Sequence, residues 1–204
     1  MKNDYLRRIS LAFLMTLVCA TVSYAYDFKV DGIYYNITSE SDYEVEVTYR
    51  ENYKESYSGD IVIPESVTYN GITYSVTTIG DRAFYRCGDL TSIELPNSVM
   101  SIGENAFYVC ENLTSIDIPN SVTSIGEGAF FNCRSLTSID IPNSVMSIGK
   151  KAFYYCESLT SIKIPNDVTS IGDRTFYYCS SLISVTIGDC CTSIGEGLSI
   201  TVRT

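Results

Sequence analysis

The stretch "LTSIDIPNSVTSIGEGAFFNC", Leu113 to Cys133, is followed two residues later by "LTSIDIPNSVMSIGKKAFYYC", Leu136 to Cys156. Lightly edited copies begin at Leu90 and Leu159. Leu90, Leu113, Leu136, Leu159 and Leu182 stand 23 residues apart. So do Cys87, Cys110, Cys133, Cys156 and Cys179, and so do Phe84, Phe107, Phe130, Phe153 and Phe176. A fixed period of this length marks a stacked-repeat architecture.

Within one unit, Ile116 and Ile118 alternate with Ser115 and Asp117, the pattern of a half-buried strand. Pro119 has no N–H to give and ends the pairing. Asn120 and Ser121 turn the chain, and Val122 and Ile125 return to the interior. Gly126 permits a positive φ. Glu127 to Cys133 then fits about one helical turn, with Ala129, Phe130 and Cys133 facing inward. Phe107, Phe130 and Phe153, with Cys110, Cys133 and Cys156, are the expected core ladder. One 23-residue coil cannot bury its own apolar face, so the units are stable only when stacked as a solenoid.

The pattern L-T-S-I-x-I-P-x-x-V-x-S-I-G-x-x-A-F-x-x-C resembles the repeat of BspA-like leucine-rich-repeat surface proteins of host-associated, largely anaerobic bacteria. The resemblance covers about residues 58–204. It implies an α/β leucine-rich-repeat solenoid, β-rich, with a parallel strand ladder and short helical turns. It also implies a secreted or surface-displayed protein that adheres to host matrix proteins or other cells.

Both ends depart from the repeat. The first coil carries an insertion at 67–75, where Asn70-Gly71 between alternating apolar residues signals a hairpin. Asp31-Gly32 in "FKVDGIYYNI" marks a second hairpin, and "YEVEVTYR" reads as a further strand. Residues 26–57 are therefore expected to form an N-terminal β cap over the open edge of the first coil. The last coil is degenerate, with Leu198-Ser199 in place of Ala-Phe and Gly188 in place of Pro.

Residues 1–25 read as a secretory leader. Lys2, Arg7 and Arg8 form the positive region, Ile9 to Ala20 the apolar one, and Ser23-Tyr24-Ala25 a small-residue cleavage site. The apolar run is short for a membrane span, so none is expected after cleavage. Losing Lys2, Arg7, Arg8 and Asp4 takes the net charge from −10 to −12. Such a surface disfavours nucleic acid, whose phosphates need clustered Lys and Arg.

Chemistry finds little purchase. Equivalent cysteines on stacked coils stand about 4.8 Å apart with parallel Cβ vectors, whereas a disulfide needs Cβ atoms converging at about 3.5–4.5 Å. Free, buried thiols are expected, with Cys191 in the core and Cys190 exposed. The chain has no histidine, so no Ser-His or Cys-His couple can form and no enzyme is expected. Glu94, Asp117 and Asp140 share one outward position and would stack about 5 Å apart. That is near the spacing of a glycosidase pair, but they lie on an open ladder and lack the contrast in environment that separates acid from base. Calcium held between them would need further oxygen ligands, and their supply is not evident. No cofactor or metal is expected.

Function is left to the outward rows. One is the acidic row Glu94, Asp117, Asp140. The other follows the buried Phe: Tyr85, Tyr108, Phe131, Tyr154 and Tyr177, with Arg86, Val109, Asn132, Tyr155 and Tyr178 one residue on. Tyrosine is a favoured contact residue, large, rigid and polar at its tip. The reading is an adhesin-like module that binds host matrix or bacterial surface proteins. The alternative is a spacer or capping element of a surface array with no ligand of its own.

Overall fold

The computed structural model describes residues 25–50 and 57–197. The expected leader lies outside these residues apart from Ala25, and so does the Leu198-Ser199 departure.

The N-terminal strands form as their turns dictate. β1 (Phe28–Val30) and β2 (Ile33–Ser39) pair antiparallel across Asp31 and Gly32, whose φ angles of 49° and 88° suit a tight hairpin. β2 pairs antiparallel with β3 (Glu44–Thr48). β4 (Gly59–Val62) opens the first coil, and β5 (Ser66–Tyr69) and β6 (Ile72–Ile79) form the second hairpin across Asn70 and Gly71.

Each coil then contributes to two parallel ladders. The first uses the Ser-Ile pair: β8 (Ser101–Ile102), β9 (Ser124–Ile125), β10 (Ser147–Ile148), β12 (Ser170–Ile171) and β14 (Ser193–Ile194). It runs without a break from β3 through β6 to β14. The second uses the L-T-S-I-x-I segment and is regular only at its ends. There β4 pairs with β7 (Leu90–Glu94), and β11 (Ser161–Ile164) pairs with β13 (Ser184–Ile187). Between them a single bridge joins Asp117 to Asp140. The strand expected at Leu113–Ile118 is thus extended chain with little regular pairing.

There is no helix among the described residues, which corrects the expected helical turns. An α-helix would send every N–H back to a carbonyl four residues earlier. In Gly128–Cys133 the N–H groups alternate instead. Gly128, Phe130 and Asn132 donate to Lys150, Ala152 and Tyr154 of the next coil at 2.8, 2.8 and 2.6 Å. Ala129, Phe131 and Cys133 donate three residues back, to Gly126, Gly128 and Phe130. The stretch is a chain of turns that also serves as an inter-coil ladder. Two left-handed residues make this possible, Gly128 (φ 60°) and Asn132 (φ 58°), and the pair recurs at Arg82 and Arg86, Asn105 and Val109, Lys151 and Tyr155, and Arg174 and Tyr178. At Val109 (φ 60°) a β-branched residue takes that conformation at a cost of about 1–2 kcal/mol. Its N–H bond to Phe131 O at 2.7 Å offsets part of the cost.

Gly126 does not use the left-handed conformation open to it. Its lack of a side chain serves close approach: a Cβ there would lie 2.6 Å from the carbonyl carbon of Gly103. The coils touch backbone to backbone at this corner, and the N–H of Gly126 donates to Ile102 O at 2.8 Å. Ser98, Ser121 and Ser144 fasten the neighbouring turn, each hydroxyl donating to a valine carbonyl of the previous coil at 2.6–2.7 Å.

The interior is one column. Phe84, Phe107, Phe130, Phe153 and Phe176 stack with centroids 5.0, 5.2, 5.4 and 5.7 Å apart and planes within 6° of parallel. Cys110, Cys133, Cys156 and Cys179 are free and buried, and their Sγ–H groups donate to Phe carbonyls one coil back at 3.0–3.2 Å. Burial pushes the thiols of Cys133 and Cys179 up to about 12. Such thiols are protonated packing groups, not nucleophiles. Cys191 is only half-buried, packed against the core and not within it, while Cys190 is exposed.

Candidate functional site

The residue after each buried Phe emerges half-buried on the outer surface of the turn segment. Tyr85, Tyr108, Phe131, Tyr154 and Tyr177 therefore form a row. Coil stacking brings their rings face to face, with centroids 4.9, 4.6, 4.8 and 5.4 Å apart. The row offers ring edges and, at its tyrosines, hydroxyls, to whatever lies outside.

The C-terminal coils widen this surface beyond the expected row. Tyr155 and Tyr178 stack on each other at 4.5 Å and meet Tyr154 and Tyr177 edge-on, at 4.9 and 4.3 Å. Tyr178 is 48% exposed. The sequence places these two one residue past the row, where a strand would turn them to the opposite face. The left-handed backbone of Tyr155 and Tyr178 (φ 58° and 60°) brings them to the same surface. The crowding raises the Tyr154 hydroxyl above its ordinary value, mainly through desolvation, with Arg174 pulling it down. Three positions before each ring stand Arg82, Asn105, Gly128, Lys151 and Arg174, so cations accompany the row at its two ends but not in its middle. Near its N-terminal end a shallow groove of about 350 Å³ opens between Arg82, Tyr85, Asn105 and Tyr108.

The acidic row lies on a different segment of the coil. Glu94, Asp117 and Asp140 are exposed, and Asp117 and Asp140 are direct neighbours across the coils. Lys163 continues the row, which breaks its negative run. Among the described residues no group of three or more His, Cys, Asp or Glu side chains converges as metal ligands do. Among the same residues no helix is long and apolar enough to cross a membrane.

Comparison with known proteins places this geometry. A family model described as the BspA-type leucine-rich-repeat region matches residues 77–198 in six copies. A leucine-rich-repeat protein from Bacteroides ovatus is 40% identical with a TM-score of 0.77, over 85% of this chain and 44% of its own. A leucine-rich cell surface protein from Faecalibacterium prausnitzii is 35% identical with a TM-score of 0.73, over 86% and 46%. The T. pallidum leucine-rich-repeat protein is 26% identical with a TM-score of 0.65, over 84% and 87%. The chain thus spans less than half the length of the first two. No curated protein matches it. With the 23-residue coil, the inward Phe and Cys rows and the Ser-Ile ladder all in place, the chain belongs to the BspA-type leucine-rich-repeat family.

Proposed function

We propose that this chain is a secreted or cell-surface protein-binding module, adhesin-like, whose partners are host matrix or bacterial surface proteins. The observation that carries the reading is the aromatic row. Five stacked rings, widened by Tyr155 and Tyr178, form a rigid partly apolar surface of the kind that supplies binding hot spots. The rings are already held by one another, so little side-chain freedom is lost on contact. The secretory leader read at residues 1–25 and the cell-surface description of the Faecalibacterium relative agree with such a role. The acidic row, on its separate segment, steers a basic partner without anchoring it.

The test replaces Tyr108, Tyr154 and Tyr177 with Ser together, with folding checked by circular dichroism. Binding to immobilised matrix proteins and to bacterial cells should weaken about tenfold or more, through faster dissociation. Asp117→Lys with Asp140→Lys should instead slow association, and only at low salt. The near-uniformity of both rows from coil to coil favours the second reading, an inert spacer. That reading stands if the parent binds nothing or neither variant differs from it.

A further inference from the structure

The N-terminal strands close the two ladders unequally. β3 extends the Ser-Ile ladder through β6, but β4 pairs with β7 alone, and among the described residues nothing pairs with its outer edge. That edge is held firmly. Just before it the Tyr57 hydroxyl donates to Thr48 O at 2.6 Å and accepts from the N–H of Tyr34 at 3.1 Å. Within it the Asp60 carboxylate accepts from Thr91 and Ser92 hydroxyls at 2.7 and 2.6 Å. Just after it the N–H of Ile63 donates to Glu94 O at 3.0 Å. Successive N–H groups of a strand point to opposite sides, so the N–H of Val62 points away from β7. The Val62 side chain is 61% exposed.

Two adjoining cavities, of about 410 and 340 Å³, flank this edge and share Asp31, Ile33 and Val62. The larger is floored by Tyr35, Pro64 and Val67, and the smaller reaches Asp60. Aspartates rim them, and no Lys or Arg lines either one. A second copy of the chain would bring its own Asp31 and Asp60 to the same edge, like charge against like.

We propose that the outer edge of β4 takes an extended, basic peptide segment of a partner protein as an added strand. Its backbone pairs with the free side of β4, one apolar side chain enters the Ile33–Val67 cavity, and flanking cations face Asp31 and Asp60. Strand addition gains affinity from the main chain and specificity from pockets that read alternate side chains. This site is separate from the aromatic row and does not depend on it.

The probes are two soluble ten-residue peptides, one with Lys-Val-Lys-Val-Lys at its centre and one with Glu-Val-Glu-Val-Glu. Fluorescence anisotropy at low salt should show the lysine peptide binding about tenfold or more tighter. Amide exchange in residues 59–63 should slow when it is added. Val62→Pro removes the outward N–H and should abolish binding, and Asp31→Asn, which keeps the hairpin turn, should narrow the preference between the peptides. Equal binding of both peptides, or unchanged exchange at 59–63, overturns the proposal even if Val62→Pro fails to fold. So does a dimer in sedimentation that competes with the peptide, which would assign the edge to a second copy.

Discussion

The two ladders of this solenoid share the same coils and the same core, yet one is continuous and the other is broken in its middle. In the Ser-Ile ladder the outward residues are Thr78, Ser101, Ser124, Ser147, Ser170 and Ser193, small and uncharged. They can bond along the row, as Thr78 and Ser101 do through their hydroxyls at 3.1 Å. In the second ladder the corresponding row is Val62, Glu94, Asp117, Asp140, Lys163 and Thr186. Regular pairing is lost between Glu94 and Lys163, where a single bridge from Asp117 to Asp140 remains, and it resumes between Lys163 and Thr186. Like charges directly opposite each other weaken pairing, and Asp is a poor strand residue. The inward face makes the coil, and it is in their outward faces that the two ladders differ.

Alkaline pH should break both ladders together, and this is the largest effect expected. Burial raises the folded-state thiols of Cys110, Cys133, Cys156 and Cys179 above their ordinary value of 9.0, Cys133 and Cys179 to about 12. Above pH about 9 the unfolded chain loses these protons while the folded chain keeps them, so stability falls as pH rises. Each further pH unit costs about 1.4 kcal/mol per protonated thiol until the folded-state value is reached. Urea unfolding between pH 7 and pH 11 under reductant should show this loss, and a Cys133→Ala variant a shallower slope. A flat profile would mean the Cys row is wet.

Phe130→Ala removes the ring at the centre of the column and should cost about 3–5 kcal/mol. Phe130 is fully buried between Phe107 and Phe153, so the cavity touches three coils. Amide exchange should quicken in both ladders alike. Protection lost on one side only would show that the ladders are supported separately.

Gly126→Ala acts on the Ser-Ile corner alone. The new methyl meets backbone, not a flexible side chain, so the coils must part, at a cost of about 1–3 kcal/mol. Exchange at Ser124–Ile125 should quicken while Leu113–Ile118 stays unchanged. Substitution without loss of stability would contradict the close approach.

Asp117→Thr with Asp140→Thr sharpens the comparison from the other side. Relieving the like-charge row should stabilise by about 0.5–1 kcal/mol and slow exchange across residues 114–118 and 137–141. If neither changes, the break in the second ladder has another cause than its outward row.

Much of this was legible in the chain itself. A strict period assigns Leu113, Ile116, Val122, Ile125, Phe130 and Cys133 to the interior, because only stacking can bury them. Asp31-Gly32 and Asn70-Gly71 determine their hairpins through local φ preference alone. The aromatic and acidic rows follow from the same period, since a repeated outward residue must recur along a line. Other features depend on contact with backbone 22 or 23 residues away, which no local pattern encodes. The turn segment is not a helix because half of its N–H groups find partners in the next coil. Gly126 is small because Gly103 lies against it, and Tyr178 joins the aromatic surface because its left-handed backbone is held by the stack. The unequal closure of the first coil, with β3 on one ladder and an open β4 on the other, is likewise a choice of partner made only once the strands meet.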